Sequence, residues 1–523
     1  MDINWIVDAP FRGLPVGDPD TVAVSEEGKD SLTYSGLRER RNRWIDVLLR
    51  AGVRPGDRVG VLLLNSVDYI ALYFAISRIG AVVVRVNFRL TPPELRHVLL
   101  DSGCTVVVAH TTLSTQVEPI RDEVPVRRWL AVDNGQPRPE WAIDPDLEFA
   151  STDDTTLPRP AGSDLLMLMY TSGTTGRPKG VMWSHDNALW LAMIQSVKWR
   201  YEPTVWMTTG PLYHAGAFEV LLLPALFMHG TAVFMSSGGM STRRIVDAIG
   251  ALGVTHVLLY PFMLYDLLQS PCLPTDLPSL QAILCGGDPV QQWALEAAAE
   301  RFPTVEIHQG YGLTEGGTGS TCLDHEDARE NAGSVGRPMP LTDVMTVDAD
   351  GNPAAPGVVG EIWVRSPTVA IGYWNNPDAT AETFVDGWCR TGDLGSVTEN
   401  GFLVVSGRAK DMFRSGGENV YPAEVESVLA AHPGVARIAV VGVPDERYLE
   451  VGCAVVVAAD GADIASLRAD LVAFAGDNLA GYKRPRHWVF VAELPVNAAG
   501  KVQKQVLRET YAGIQQHNSS KKE

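Results

Sequence analysis

The apolar positions of this chain switch repeatedly between two periods. SLTYSGLRERRNRWIDVLLRAGV (31–53) opens as a strand and continues as an amphipathic helix that closes at Gly52. DRVGVLLL predicts a buried strand, YIALYFAISRIG a helix stopped by glycine, and AVVVRV another strand. The alternation returns at VTHVLLY and LQAILCGG, with helical stretches between them. Val- and Leu-rich strands separated by helices indicate mainly parallel sheets covered by helices, an α/β fold. From about residue 340 the texture changes to short strands and turns: GEIWVRSP, GWCRTGDLG and NGFLVVSGR. After RAKD (408–411), EVESVLAAHPGVARIAVVGVP, GCAVVVAA and ASLRADLVAFAGDNLAGY predict strands packed with helices, a compact α+β unit. The expected division is therefore 1–409 and 410–523, with the boundary at Lys410 in a charged, turn-rich stretch.

Length agrees with more than one domain, because 523 residues exceed the ~250–300 at which a single core stops growing. Hydrophobic residues make up 46% and charged residues 20%, a balance expected of a globular protein in water. The net charge of −19, from 43 basic against 62 acidic residues, argues against a nucleic-acid surface and against docking on anionic lipid. An anionic ligand must then be held by local N–H groups and a few placed cations. The six cysteines show no metal-ligand or C-x-x-C spacing and are expected to be reduced thiols of a cytoplasmic protein. No signal-peptide pattern opens the chain, and the apolar window FEVLLLPALFMHGTAVFM (218–235) is interrupted by Glu219, Pro224, His229 and Gly230, so it reads as a core element.

One stretch asks for chemistry. YTSGTTGRPKG (170–180) is rich in glycine and hydroxyls and ends in a lysine. A P-loop would need glycine before that lysine and a hydroxyl after it, whereas Pro178 and Gly180 flank Lys179. LLMLMY and VMWSH on either side read as strands, so the loop joins strand to strand. What remains is a ribbon of N–H and O–H donors with one cation, suited to gripping an anion.

Taken with PLYHAGAF (211–218), YGLTE (311–315), GEIWVRSP (360–367), RTGDLG (390–395), GRAKD (407–411) and NAAGK (497–501), this loop resembles the adenylate-forming superfamily, in the pattern of its acyl-CoA synthetases, over about residues 15–510. The resemblance implies a large N-terminal α/β domain of mainly parallel sheets with a β-rich subdomain, and a small mobile α+β C-terminal domain. It implies adenylation of a carboxylic acid by MgATP, then transfer of the acyl group to CoA. Thr171, Ser172, Gly173, Thr174, Thr175, Gly176 and Lys179 match the phosphate-holding loop. Thr314 and Glu315 match the phosphate and Mg²⁺ positions, Asp393 the ribose carboxylate, and Arg408 a second nucleotide contact. Gly286, Gly287 and Tyr311 match the walls around adenine. Lys501 matches the lysine that bridges the carboxylate and α-phosphate, Lys410 the hinge, and Ser415, Gly416 and Gly417 the loop lining the pantetheine channel. His214, Ala215, Phe218, Gly312, Gly316 and Gly317 match the acyl pocket.

Each residue alone has a plainer reading. Asp393 can cap a turn, Glu315 can start a helix, Arg408 and Lys501 can be solvated charges, and His214 can be a core histidine bonded to backbone. The order of the motifs carries the assignment. Leu449-Glu450 stands where the family shows Gly-Glu, and Phe413-Arg414 where aliphatic residues are commoner. These departures bear on CoA docking and keep open an acyl-AMP ligase that loads a separate carrier protein. A non-catalytic ATP-binding homologue would have lost Glu315, Asp393 or Lys501, and all three are present. Ala215 stands where amino-acid-activating members place an aspartate, so an uncharged acyl tail is expected, with Glu219 close by. Gly316 and Gly317 read as leaving room for a medium-to-long or bulky cyclic acid. A homodimer is a family-based expectation.

Overall fold

The computed structural model describes the chain except for residues 13–16, 30, 146–156, 172–177, 200–203, 271–276, 288–289, 416–417, 446, 498–500 and 515–523. Two compact units emerge: Met1–Val344 with Trp363–Thr391, and Met345–Ile362 with Gly392–Glu523.

The first unit contains two large sheets. In the seven-stranded sheet Leu165–Thr171, Val82–Arg85, Arg58–Leu62, Val106–His110 and Arg128–Val132 run parallel, and Lys179–Ser184 and Gly372–Tyr373 close one edge antiparallel. The nine-stranded sheet has a parallel centre that includes His256–Leu259, Ala282–Gly286 and Glu306–Tyr311, with antiparallel strands at both edges. The helix–strand alternation predicts this arrangement, and its end signals operate as expected. Thr33 accepts a hydrogen bond from the Gly36 N–H at the start of helix Tyr34–Arg50, and Ser66 accepts one from Tyr69 at the start of Val67–Ile79. The second of these helices stops at Gly80, whose φ of +81° suits glycine. Its residues from Tyr69 to Ile79 are all buried, so it is a core helix without a solvent face.

The apolar window 218–235 folds as a π-helical turn Phe218–Leu222, a helix Leu223–Phe227 and a strand Thr231–Phe234. Among the described residues no helix is long and apolar enough to cross a membrane. Cys104, Cys285, Cys322, Cys389 and Cys453 are buried and form no disulfide among the described residues, and burial pushes the thiols of Cys104, Cys285 and Cys453 up to about 12.

The second unit is built on a sheet in which Leu449–Ala458 lies between Val435–Asp445 and Phe413–Ser415, with His487–Phe490 parallel to it. Helices Pro422–Ala430 and Ile464–Asn478 bury Val425, Leu429, Leu467 and Leu471 against it. Earlier in this unit, an antiparallel pair sets Asp393 opposite Arg408 and Val397 opposite Leu403.

Leu449, which replaces the expected glycine, keeps a glycine-like backbone: its φ is +71° and its side chain is 71% exposed. Holding an L-residue left-handed costs about 1–2 kcal/mol, partly offset by the ~0.5–1 kcal/mol of extra entropy a glycine loses on folding. Leu449→Gly is expected to raise the unfolding free energy of this unit by up to about 1 kcal/mol, whereas Leu449→Ala gains nothing because it keeps the Cβ. Denaturant titrations in which the two variants behave alike would remove the strain.

Candidate active site

The 170–180 segment is a hairpin. Thr171 and Lys179 are opposite each other at the open end of the strand pair, as the strand-to-strand reading predicts. Ser172, Gly173, Thr174, Thr175 and Gly176 lie outside the described residues. Both shoulders of the hairpin are tied to one neighbouring helix, Pro92–Ser102. The Tyr170 hydroxyl donates to Asp101 Oδ2 at 2.6 Å, and His97 Nε2 lies 3.0 Å from the Pro178 carbonyl. The loop therefore leaves from a fixed base.

Glu315 is the point on which the surrounding elements converge. The Thr171 hydroxyl donates to Glu315 Oε1 at 3.0 Å, and the Tyr373 hydroxyl donates to the same oxygen at 3.2 Å. Among the described residues both bonds reach Oε1 and none reaches Oε2, so the carboxylate is oriented through one oxygen. The backbone is pinned as well. Trp183 Nε1 donates to the Thr314 carbonyl at 3.0 Å, and the Ala370 N–H donates to the Glu315 carbonyl at 3.0 Å. Burial, with the adjacent Glu315 charge, pushes the Tyr373 phenol well above its ordinary value, so it stays a donor. Lys179 Nζ sits 4.9 Å above the Tyr373 ring, which leaves a cation beside the loop base.

Tyr373 is the residue that motif reading misses. It lies on the two-residue strand Gly372–Tyr373, paired with Lys179–Ser184, and neither periodicity nor charge marks it. A hydrogen bond to a charged group contributes about 1.5–3 kcal/mol. Tyr373→Phe is therefore expected to lower kcat/KM for acid-dependent pyrophosphate release about tenfold and to raise the Mg²⁺ concentration needed for half-maximal rate. Unchanged Mg²⁺ dependence would remove Tyr373 from the site.

Gly286 and Tyr311 end the adjacent parallel strands Ala282–Gly286 and Glu306–Tyr311, the edge at which open α/β sheets bind ligands. Gly287 follows with φ +97°, and a Cβ there would meet the Tyr260 ring at 3.5 Å. Gly312 is required by close approach, since a Cβ would fall 2.5 Å from the Thr318 carbonyl.

For Gly317 the structure corrects the expectation of spare room. Gly316 and Gly317 are both buried. A Cβ on Gly317 (φ +90°) would fall 2.1 Å from Thr368 Oγ1, and one on Gly316 would fall 2.7 Å from Leu313 Cδ2. Gly317 lets the Glu315 loop pack against Thr368, whereas at Gly316 the nearest atom is the tip of a flexible Leu313 side chain. Ala215 and Phe218 are also buried, and the Phe218 ring meets the Tyr73 ring edge-on at 4.8 Å. His214 is half-buried.

Glu219 has a different role from the pocket charge its position suggests. It is fully buried and paired with Arg85, also fully buried. Arg85 donates through Nη2 to the Leu212 carbonyl, reaches the His214 carbonyl at 3.5 Å, and donates through Nε to the Tyr69 hydroxyl at 3.1 Å. Burial pushes the Glu219 carboxyl up from its ordinary value and the Arg85 guanidinium opposes that, while Glu219 keeps Arg85 charged. The pair thus ties the PLYHA segment to a strand of the seven-stranded sheet.

In the second unit Asp393 is buried, and its Oδ1 accepts from Arg408 Nε at 2.7 Å. The two predicted nucleotide contacts are therefore cross-strand partners that orient each other. Lys410 lies exposed in the turn that follows, and Ser415 is buried opposite Leu449, while Gly416 and Gly417 lie outside the described residues. Lys501 is exposed. Its N–H donates to Asn497 Oδ1 at 3.0 Å and its carbonyl accepts from the Asn497 N–H at 2.8 Å, beside the Val496–Val502 bridge.

Comparison with known proteins extends this picture. The pattern of the AMP-binding enzyme family matches residues 15–374, and that of the AMP-binding enzyme C-terminal domain matches residues 424–501. A feruloyl-CoA synthase from an Amycolatopsis species is 39% identical over 496 residues, covering 94% of this chain and 96% of that protein. The fatty acid–[acyl-carrier-protein] ligase ScoC of Streptomyces coeruleorubidus is 36% identical over 506 residues, covering 95% of this chain and 94% of the relative. Among solved structures, the amide bond synthetase McbA from Marinactinospora thermotolerans superposes with a TM-score of 0.86 at 32% identity, covering 97% of this chain and 99% of that one.

Proposed function

This chain belongs to the AMP-binding enzyme family, and from that premise we propose that it is an acyl-CoA synthetase for hydrophobic carboxylic acids. In the first step a carboxylate oxygen attacks the α-phosphorus of ATP and pyrophosphate leaves. In the second the CoA thiolate attacks the acyl carbon and AMP leaves. The observation that carries the reading is the convergence of the Thr171 and Tyr373 hydroxyls on one oxygen of Glu315 at the base of the glycine-rich hairpin.

Carboxylate and ATP repel each other, so the chain's task is to neutralise charge and to position groups. The hairpin from Thr171 to Lys179, including Ser172, Gly173, Thr174, Thr175 and Gly176, supplies hydroxyls, N–H groups and a cation for the β- and γ-phosphates, and Thr314 adds another hydroxyl. Glu315 presents an oriented oxygen of the kind Mg²⁺ prefers. When bound there, magnesium supplies positive charge to the phosphates. Asp393, oriented by Arg408, accepts from the ribose hydroxyls, and Gly286, Gly287 and Tyr311 bound the adenine. Lys501 supplies a positive charge to the reacting carboxylate and α-phosphate. Lys410 is the hinge of the 410–523 segment between the two half-reactions, and Ser415 belongs to the thiol channel.

Two features support an uncharged acyl tail. Ala215 carries no charge, and Glu219 is already committed to Arg85. Feruloyl and fatty acids, which relatives' names associate with this chemistry, both fit that description. A carrier protein is the second acceptor to consider, because a relative of similar identity is a carrier-protein ligase and Leu449 departs from the family pattern. The test is mass spectrometry of products from the purified chain, MgATP, CoA and a panel of cinnamic-type, linear, branched and polycyclic acids. Acyl-CoA would support the proposal. Accumulation of acyl-AMP with CoA unconsumed would overturn CoA as the acceptor while keeping adenylation, and no acid-dependent pyrophosphate would overturn the reading as a whole.

A further inference from the structure

The strand pair that carries the Glu315 loop builds a second cluster at its opposite end. Gly310 pairs with Cys322 and Gln309 with Leu323, so the next step outward sets His308 across from Asp324. Side chains alternate along a strand, which puts Cys322 and Asp324 on one face, shared with His308. There a nitrogen, a sulfur and a carboxylate oxygen all lie within 4.8 Å of one another, with His308 and Cys322 buried and Asp324 half-buried. We propose that His308 Nδ1, Cys322 Sγ and Asp324 Oδ1 bind a zinc-class divalent cation, with water in a fourth position, as a structural clamp on the stem of the Thr314–Glu315 loop.

Three observations carry the assignment. First, His308 Nε2 lies 3.0 Å from Glu306 Oε2. An ionised carboxylate can only accept, so Nε2 carries a proton, and a ring with that single proton presents a lone pair at Nδ1. That nitrogen is buried, and no described residue bonds it. A carboxylate behind an imidazole is how metal-ligating histidines are usually oriented. Second, Asp324 Oδ2 is taken by Lys198 Nζ at 2.5 Å, which fixes the carboxylate with Oδ1 turned toward the other two donors. The ring is also held from its side by Trp199, at 4.5 Å between ring centroids.

Third, the two separations made to Asp324 Oδ1 are close to those an ion would set, and the remaining pair lies within 4.8 Å. Tetrahedral bonds of ~2.0–2.3 Å imply donor–donor distances of roughly 3.3–3.8 Å. Nδ1 and Oδ1 of Asp324 are already 3.5 Å apart, and Sγ is 3.9 Å from the same oxygen. Nitrogen, sulfur and oxygen together favour zinc over magnesium or calcium, which take all-oxygen sets. As the metal–sulfur bond forms, the Cys322 thiol releases its proton to solvent.

The rival electrophile is a second proton on the ring, bridging Glu306 and Asp324 with no metal. The test strips the full-length chain with chelator and titrates Co²⁺. The expected result is one equivalent bound with a sulfur-to-cobalt charge-transfer band in the near ultraviolet, displaced by Zn²⁺ but not by Mg²⁺. The band should be absent in Cys322→Ser and retained in Cys453→Ser. Zn²⁺ should raise the melting temperature of the unaltered chain and fail to raise that of Asp324→Asn, which keeps a readout if Cys322→Ser folds poorly. Absence of the band in the unaltered chain, or its persistence in Cys322→Ser, would overturn the proposal and leave the protonated ring as the explanation.

Discussion

Lys501→Ala is expected to cut acid-dependent pyrophosphate release about 10²–10³-fold while leaving the melting temperature unchanged. The magnitude is that of removing one charged donor aimed at charge developing in a transition state. Stability is spared because the lysine side chain is exposed, and the bonds at this position are made by its backbone to Asn497: the Lys501 N–H to Asn497 Oδ1 and the Asn497 N–H to the Lys501 carbonyl. Alanine keeps both. Lys501→Arg restores charge on a planar, longer group that does not reproduce a point ammonium, so it should recover only part of the rate. Thioester formation from synthetic acyl-AMP and CoA should survive in Lys501→Ala, because the assigned role belongs to the first step. A variant that adenylates normally would exclude the lysine from that step, and a variant that loses both steps equally would point to a general defect.

Arg85→Met should destabilise the protein more than any substitution at the phosphate loop. Removing one member of a fully buried ion pair leaves the other uncompensated and costs about 3–5 kcal/mol. Glu219 would remain buried without its guanidinium, and the Leu212 carbonyl and Tyr69 hydroxyl would each lose a donor. The sign of the pH dependence follows from burial, which raises the Glu219 carboxyl above its ordinary value. Folded Glu219 then takes up a proton that the unfolded chain does not hold, so the deficit grows as pH rises above the ordinary carboxylate range and shrinks as pH falls toward it. Arg85→Met with Glu219→Leu should recover most of the loss, because apolar residues of similar volume replace such pairs at little cost. Denaturation curves across pH read both effects. A double variant as unstable as the single one would show that the guanidinium's backbone contacts, not the stranded charge, dominate.

Much of this arrangement was legible in the sequence because it is periodic or local. The switch between helical and strand periods places the parallel strands, Gly80 ends its helix, and the apolar flanks of 171–179 make that loop a hairpin rather than a strand-to-helix turn. What stayed hidden depends on partners distant in sequence. Glu219 reads as a charge near a pocket until Arg85, 134 residues away, is seen to neutralise it. Tyr373 meets Glu315 across 58 residues through a two-residue strand too short to show a period. Gly317 misleads for another reason. A glycine fits equally where space is needed and where another chain segment leaves none, and only the position of Thr368 distinguishes the two.

The buried cysteines acquire a meaning once an acyl-adenylate is the intermediate. Such a compound acylates any accessible thiolate, and the proposed reaction ends by presenting it with one, on CoA. Cys104, Cys285, Cys322, Cys389 and Cys453 are all withdrawn from solvent, and burial holds the thiols of Cys104, Cys285 and Cys453 in their protonated, poorly nucleophilic form. At these five positions packing alone withholds the sulfur from an activated acyl group. A thiol reagent that follows CoA consumption should therefore see the substrate disappear against a background to which those five side chains contribute nothing while the chain stays folded.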